Sequence, residues 1–140
     1  MAKYVVDASV AISLVLSDEP FHRHAIALFE RFARHELELV TAPLLIFEVA
    51  NALWKAVRVA RIDFVDAVEA VRKMEELRIP LRTISLADTL TLAHRYERTA
   101  YDAAYLTLAS LEEVPLITAD KRLYNALKDK FEWIMWIESA

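Results

Sequence analysis

The chain has 140 residues and contains no cysteine and no glycine. Without cysteine it can form neither disulfide bonds nor thiolate metal sites. Without glycine it cannot carry a glycine-rich phosphate loop, a dinucleotide-binding fingerprint or a nucleophile elbow. It also has no apolar run near the roughly 20 residues that a membrane span requires. Its chemistry must therefore come from carboxylates, hydroxyls, amides, imidazoles and basic side chains.

The length predicts one domain, covering residues 1–140. Hydrophobic residues make up 56% of the chain, above the usual share of about 45–50%. Part of this excess is available to cover a partner surface. The first residues, MAKYVVDASVAISLVLS, look like a signal peptide, but Asp7 interrupts the apolar stretch and no cleavage site follows. We therefore expect a cytoplasmic protein.

Short apolar segments alternate with segments of helical periodicity along the whole chain. The predicted strands are residues 3–7, 37–42, 80–85, 114–120 and 131–138. The predicted helices are residues 9–17, 19–36, 43–60, 63–77, 86–98, 99–109 and 121–130. This order predicts an α/β fold, with a mainly parallel central sheet of about five strands and helices on both faces.

Four acidic residues lie where such a fold brings chain segments together. Asp7 and Asp120 each end an apolar strand, and strand ends of the same sense meet at one edge of a parallel sheet. Asp102 opens the helix before the fourth strand, which brings it to the same edge. Glu48 lies in the first turns of a strongly apolar helix after the second strand. We expect the four carboxylates to converge.

Each of these acids also has a purely structural explanation. Asp7 and Asp120 can cap helices, and Asp102 can compensate the dipole of its helix. Glu48 can pair with Lys55 or share a solvated strip with Asn51. As a group, however, four ionised carboxylates repel each other and their pKa values rise unless a cation compensates. Mg²⁺ or Mn²⁺, which prefer oxygen ligands, would be that cation.

Four motifs follow one another in an order that resembles the PIN-domain ribonucleases: VVDASV, EVANAL, YDAAYLTLA and LITAD. The chain is most similar to the VapC-type toxins of toxin–antitoxin pairs. The resemblance implies an Mg²⁺- or Mn²⁺-dependent endoribonuclease with a single PIN-like domain. It also implies that Asp7, Asp102 and Asp120 bind the metal, with Glu48 reaching it directly or through water.

The resemblance assigns supporting roles to three further residues. Ser9 and Thr118 match hydroxyl positions that orient the acids, and Asn51 matches a frequent polar neighbour of Glu48. Their local alternatives are a helix cap, an ordinary strand residue and a solvent-facing amide. Some relatives carry a further acid just after the last motif aspartate. This chain has Lys121 and Arg122 after Asp120 instead, which counts against a second tightly held ion.

The overall charge of −4 does not indicate a nucleic-acid-binding protein. Setting the four site acids aside leaves 17 basic and 17 acidic side chains. The residues expected to hold RNA phosphates are Lys55, Arg58 and Arg61, on one predicted helical stripe, and Lys121 and Arg122 beside the site. A solvated helix face is the alternative for each of them.

The resemblance further implies an RNA substrate, a VapB-like antitoxin and a homodimer. Phe29, Phe32, Phe47 and Trp54 lie on the helices that would supply an antitoxin groove, and burial in the core is the alternative for each. Asp7 is followed by Ala8 and Ser9, which excludes a response-regulator receiver and a haloacid-dehalogenase-type phosphatase. The alternative that stays open is a PIN domain that binds RNA or protein without useful turnover.

Overall fold

The computed structural model describes residues 1–140 and contains a four-stranded, fully parallel sheet. The strands are β1 (Lys3–Val6), β2 (Glu38–Val40), β3 (Leu116–Thr118) and β4 (Ile134–Trp136). Their order across the sheet is β2-β1-β3-β4. The two central strands, β1 and β3, are therefore neighbours, and the residues that follow them emerge side by side at one edge of the sheet.

Seven α-helices and a final 3₁₀ turn connect or follow the strands. They are α1 (Ala8–Val15), α2 (His22–Ala33), α3 (Leu45–Arg58), α4 (Phe64–Glu76), α5 (Leu86–Tyr96), α6 (Ala100–Glu112), α7 (Lys121–Leu127) and the 3₁₀ turn Ile137–Ser139. No helix is both long and apolar enough to cross a membrane.

The sheet is covered on both faces. Successive strand residues point to opposite faces, and both members of the pairs Val5–Val6 and Leu116–Ile117 are completely buried. The helix α6 packs on both central strands, while α1 contacts β3 and carries α2, α3 and α4 on its other sides. The expected parallel α/β architecture is thus confirmed.

The expected fifth strand, residues 80–85, is not present as a strand. Its only pairing is a single parallel bridge between Thr41 and Leu81 at the outer side of β2. Two backbone hydrogen bonds hold it there, from Thr41 N–H to Pro80 and from Arg82 N–H to Thr41. Leu81 is 44% exposed, so this segment gains too little apolar burial to pair with β2 over its whole length. The prediction of about five strands was therefore wrong by one strand, because residues 80–85 do not form one.

The lack of glycine is visible where helices end. Five non-glycine residues adopt positive φ values of 53–60°: His35, Ala60, Arg78, Glu97 and Glu113. Each follows a helix, at the position where glycine is the usual residue because it has no Cβ to clash in the left-handed region. The chain accepts this strain at the ends of α2 through α6.

Candidate active site

Asp7 lies directly after β1 and is the N-cap of α1. Its carboxylate is only 4% exposed. Oδ1 accepts hydrogen bonds from the Ser9 hydroxyl at 2.5 Å and from the Val10 amide at 3.3 Å. Oδ2 accepts one from the Thr118 hydroxyl at 2.5 Å. Asp7 therefore caps its helix as any N-terminal aspartate would, but three donors from two elements also fix it at the sheet edge.

The environment of Asp7 works against its ionised form. The pKa of Asp7 is raised to about 6, chiefly by burial and to a smaller extent by the nearby charge of Asp120. The hydrogen bonds from Ser9, Thr118 and Val10 oppose this shift without cancelling it. A buried carboxylate with a raised pKa and a like charge beside it is an arrangement typical of functional sites.

Asp120 follows β3 and caps α7 through one oxygen. Its Oδ1 accepts hydrogen bonds from the amides of Arg122 at 3.0 Å and Leu123 at 3.2 Å. The Thr118 hydroxyl accepts from the Asp120 amide at 3.1 Å, and the Ser9 hydroxyl accepts from the Ala119 amide at 2.8 Å. These two hydroxyls thus join the loop after β1 to the loop after β3, and they bring Asp7 and Asp120 together.

Glu48, on α3, is half-buried and is held by Tyr105 on α6. The Tyr105 hydroxyl donates to Glu48 Oε1 at 2.6 Å. Burial raises the pKa of Glu48, as does the charge of Asp102, while the Tyr105 hydrogen bond opposes the shift. The pKa of Tyr105 is itself well above its usual range, because of burial, then the hydrogen bond to Glu48, and then the charges of Glu48 and Asp7. Tyr105 therefore stays protonated and acts as the hydrogen-bond donor to Glu48.

Asp102 lies in the first turn of α6 but is not the cap of that helix. The cap is Thr99, whose hydroxyl accepts from the Asp102 amide at 3.1 Å. The Asp102 carboxylate instead accepts from both Nε and an Nη of Arg98, at 3.2 and 3.1 Å. Arg98 is placed there by the turn between α5 and α6, where its amide bonds back to Ala93.

The pKa shifts link the four predicted acids in two pairs, and Tyr105 lies close enough for the charges of both Glu48 and Asp7 to raise its pKa. Asp120 acts on the pKa of Asp7, and Asp102 acts on the pKa of Glu48. No group of three acidic or histidine side chains is close enough together to hold a metal ion. Hydroxyl, amide or guanidinium donors hold each carboxylate in this arrangement, and binding of one ion by all four acids stays a prediction.

Neither Tyr105 nor Arg98 was identified as a site residue from the sequence. Tyr105 lies three residues after Asp102 on α6, a spacing that makes the two neighbours on the helix surface. Arg98 lies four residues before Asp102, in the turn that precedes α6. The structure shows both of them in contact with one of the predicted acids.

The other predicted polar residues differ in their surroundings. Asn51 and Lys55 are exposed on α3, and the Arg58 guanidinium lies 4.9 Å from the centre of the Trp54 ring. Arg61 lies beyond the end of α3 and forms ion pairs with Asp18 and Glu19, at 2.8 and 2.9 Å. The prediction of one helical stripe was therefore wrong, because α3 ends at Arg58. Lys121 and Arg122 are exposed at the start of α7.

The four aromatic residues expected near a partner groove divide into two groups. Phe29 is core, at 2% exposed, and Phe32 packs against the core. Phe47 and Trp54 on α3 are 76% and 54% exposed. Trp54 also lines an entirely apolar cavity of about 200 Å³ between α3 and α4. Phe29 and Phe32 are thus part of the core or packed against it, whereas Phe47 and Trp54 are exposed at the surface and available to a partner.

Comparison with known proteins gives one consistent result. The family model of the PIN domain matches residues 4–128. Two proteins of Pyrobaculum aerophilum are similar over most of their length: Exonuclease VapC9, 30% identical over 90% of this chain and 86% of its own, and Ribonuclease VapC3, 34% identical over 86% and 92%. The crystal structure of PAE2754 from the same organism superposes with a TM-score of 0.76 at 26% identity, covering 99% of this chain and 91% of that one.

Proposed function

The chain belongs to the PIN-domain family and is a VapC-type protein, and from this we propose that it is a divalent-metal-dependent endoribonuclease. We also propose that it is the toxin of a VapBC-type toxin–antitoxin pair. One relative is named a ribonuclease and another an exonuclease. The proposal of internal cleavage therefore needs a substrate that separates the two modes.

The observation that carries the proposal is the pair of Asp7, which is buried, and Asp120, which is partly exposed, at the centre of the sheet edge. Asp7 is 4% exposed and its pKa is raised to about 6 by burial and by Asp120. A fold rarely keeps a carboxylate without an opposite charge in such a place unless it serves a function, because burial disfavours its ionised form. The hydroxyls of Ser9 and Thr118 fix the geometry of the pair rather than neutralise it.

The chemistry of the donors fits Mg²⁺ or Mn²⁺, since both prefer carboxylate oxygens. We propose that Asp7, Asp102 and Asp120 hold the ion, together with Glu48 directly or through water. Arg98 occupies only Oδ2 of Asp102, which leaves Oδ1 for the ion. Such an ion supplies charge neutralisation and water activation for phosphodiester hydrolysis. Asn51, exposed one turn after Glu48, is proposed as a polar neighbour of this site.

The protein would hold the RNA backbone through basic side chains near the sheet edge. Lys121 and Arg122 directly follow Asp120 and are exposed. Lys55 and Arg58 are exposed on α3, which also carries Glu48. We propose these four as phosphate contacts. Arg61 contributes least in this proposal, because Asp18 and Glu19 already occupy its guanidinium.

The proposed partners are a VapB-like antitoxin and a second copy of the chain. Phe47, Trp54 and Phe64 are large apolar side chains that are more than half exposed. Phe64 and Trp54 both line the apolar cavity between α3 and α4. Exposed apolar area of this kind is typical of protein–protein contacts.

The test is cleavage of one single-stranded RNA, in linear and circular form, with Mg²⁺, with Mn²⁺ and with chelator. An endoribonuclease cuts the circle, whereas an exonuclease cuts only the linear form. Asp7→Asn and Asp120→Asn are expected to abolish metal-dependent cutting. Asp129→Asn is the matched control, because Asp129 is an exposed aspartate in the turn after α7. Cutting that survives both site variants contradicts the proposal.

A second candidate function is binding of RNA or protein without turnover. The observation that favours it is that no three acidic side chains are gathered for a metal ion, while Arg98 and Tyr105 already bind Asp102 and Glu48. A folded wild-type protein that binds RNA but cuts neither form with either metal would favour this candidate.

A further inference from the structure

Tyr105 is the residue of the motif YDAAYLTLA to which the sequence analysis assigned no role. It lies on α6, three residues after Asp102, and its side chain is almost completely buried at 2% exposed. Its ring is part of the hydrophobic core. Its hydroxyl, however, is directed at Glu48 on α3 and donates at 2.6 Å to Oε1. A core residue thus ends in a polar contact with a predicted site acid.

The contact has the properties of a device that fixes a carboxylate. A length of 2.6 Å is in the range of charge-assisted O–H···O⁻ hydrogen bonds, which are about twice as strong as neutral ones. The tyrosine side chain has few rotatable bonds and is held by packing, whereas glutamate has three. Glu48 has no other hydrogen bond or ion pair, so Tyr105 alone selects its rotamer and leaves Oε2 unbound.

We propose that Tyr105 is a positioning residue, which holds the Glu48 carboxylate in orientation toward the metal site and thereby connects α3 to α6. This inference rests on the proposed function. Because it is buried, Tyr105 does not touch RNA. Its contribution therefore belongs to metal binding and turnover and not to substrate affinity.

The substitution that tests this is Tyr105→Phe, which removes one oxygen and keeps the buried ring. The matched control is Tyr96→Phe, since Tyr96 packs edge-on against Phe131 and its hydroxyl has no hydrogen-bond partner. Three quantities are measured for each variant: the Mn²⁺ dissociation constant by calorimetry, and kcat and KM for RNA cleavage. Circular dichroism and thermal melting verify folding.

We expect Tyr105→Phe to lower kcat about tenfold or more, the usual value of a hydrogen bond to a charged group. Mn²⁺ binding weakens by a similar factor, while KM stays within about twofold. Tyr96→Phe leaves all three quantities unchanged. In a Glu48→Ala background, which removes the partner, Tyr105→Phe has no further effect on Mn²⁺ binding, because the two residues act as one unit.

Two results would overturn the inference while leaving the proposed function intact. One is a Tyr105→Phe variant that matches Tyr96→Phe in kcat and Mn²⁺ affinity. The other is an additive effect of Tyr105→Phe in the Glu48→Ala background, which means that Tyr105 does not act through Glu48. Wild-type protein that neither binds Mn²⁺ nor cuts RNA would instead overturn the proposed function, and this inference with it.

Discussion

The Thr118 hydroxyl donates to Asp7 Oδ2 at 2.5 Å although the two residues are 111 positions apart in the chain. The Thr118 hydroxyl oxygen in turn accepts a hydrogen bond from the amide of Asp120 at 3.1 Å. One hydroxyl, completely buried, thus serves both acids at the edge of the sheet. Because donor and acceptor roles are both used, no hydroxyl-free side chain can replace Thr118.

We therefore expect Thr118→Val to lower the free energy of unfolding by about 2–3 kcal/mol, since it leaves a buried carboxylate and an amide each short of one partner. Thr118→Ser keeps the oxygen and loses only a methyl group, so its cost is about 1 kcal/mol. Urea unfolding at pH 7.5 measures both. A serine variant as unstable as the valine variant would show that packing, and not the hydrogen bonds, is what Thr118 supplies.

The raised pKa of Asp7 has a consequence for stability that depends on pH. Between pH 4 and pH 6 the folded protein keeps a proton on Asp7 that the unfolded chain has lost, because the folded pKa is about 6 and the ordinary value is 3.8. The free energy of unfolding therefore falls as pH rises through this window. The loss is complete above about pH 6 and amounts to at most about 3 kcal/mol.

Asp7→Asn removes this pH-dependent loss. In the presence of chelator, we expect the free energy of unfolding of the variant, relative to that of wild type, to increase as the pH rises from 4 to 7. The variant should also lose all metal-dependent cleavage. Thermal or urea unfolding at a series of pH values measures the difference. A difference between variant and wild type that does not change with pH would mean that Asp7 titrates normally in the folded protein.

The parts of the site that could be predicted from the sequence are those set by strand ends. Asp7 and Asp120 each follow an apolar strand, and a parallel sheet brings such positions to one edge regardless of side-chain detail. The order of the motifs likewise predicted the fold. Residues 80–85 show the limit of this reasoning. Their apolar pattern is compatible with a strand, yet Leu81 remains 44% exposed and forms only one bridge.

Side-chain directions could not be predicted in the same way. Asp102 and Glu48 lie on helices, where a rotation of the helix or one rotamer decides which neighbour a carboxylate contacts. Arg98 binds Asp102 and Tyr105 binds Glu48, and both contacts depend on how α5, α6 and α3 pack. Pattern and spacing specify which residues share a helix face, but not which element that face contacts.

The absence of glycine gives a prediction about stability alone. Arg78 is exposed, has φ = 53° and forms no ion pair. Arg78→Gly removes the Cβ clash of the left-handed conformation, which costs about 1–2 kcal/mol, and loses part of this gain to the greater freedom of the unfolded chain. We expect a net gain of about 0.5–1 kcal/mol in urea unfolding. Arg78→Ala, which keeps the Cβ, should show no gain.

The basic residues proposed to bind RNA differ in whether they already form ion pairs within the protein. Lys121→Ala and Arg122→Ala should each weaken RNA binding and lower the slope of log affinity against log salt by about 1, as expected for the loss of one phosphate contact. Arg61→Ala should leave the slope unchanged, because that guanidinium is held by Asp18 and Glu19. Fluorescence anisotropy measures the binding, and each variant is made in an Asp7→Asn background so that the RNA is not cleaved during the titration. An unchanged slope for both Lys121 and Arg122 would remove them from the RNA interface.

Arg98 and a metal ion compete for the same carboxylate. The Arg98–Asp102 pair is only partly exposed, at 26% and 28%, and a pair of this kind is worth up to about 1 kcal/mol. Arg98→Met removes the competing charge, so we expect Mn²⁺ to bind about two- to fivefold more tightly. Arg34→Met is the matched control, because it breaks an ion pair of the same spacing, with Glu30, on the exposed side of α2. Weaker Mn²⁺ binding in Arg98→Met would mean that Arg98 orients Asp102 for the ion instead of occupying it.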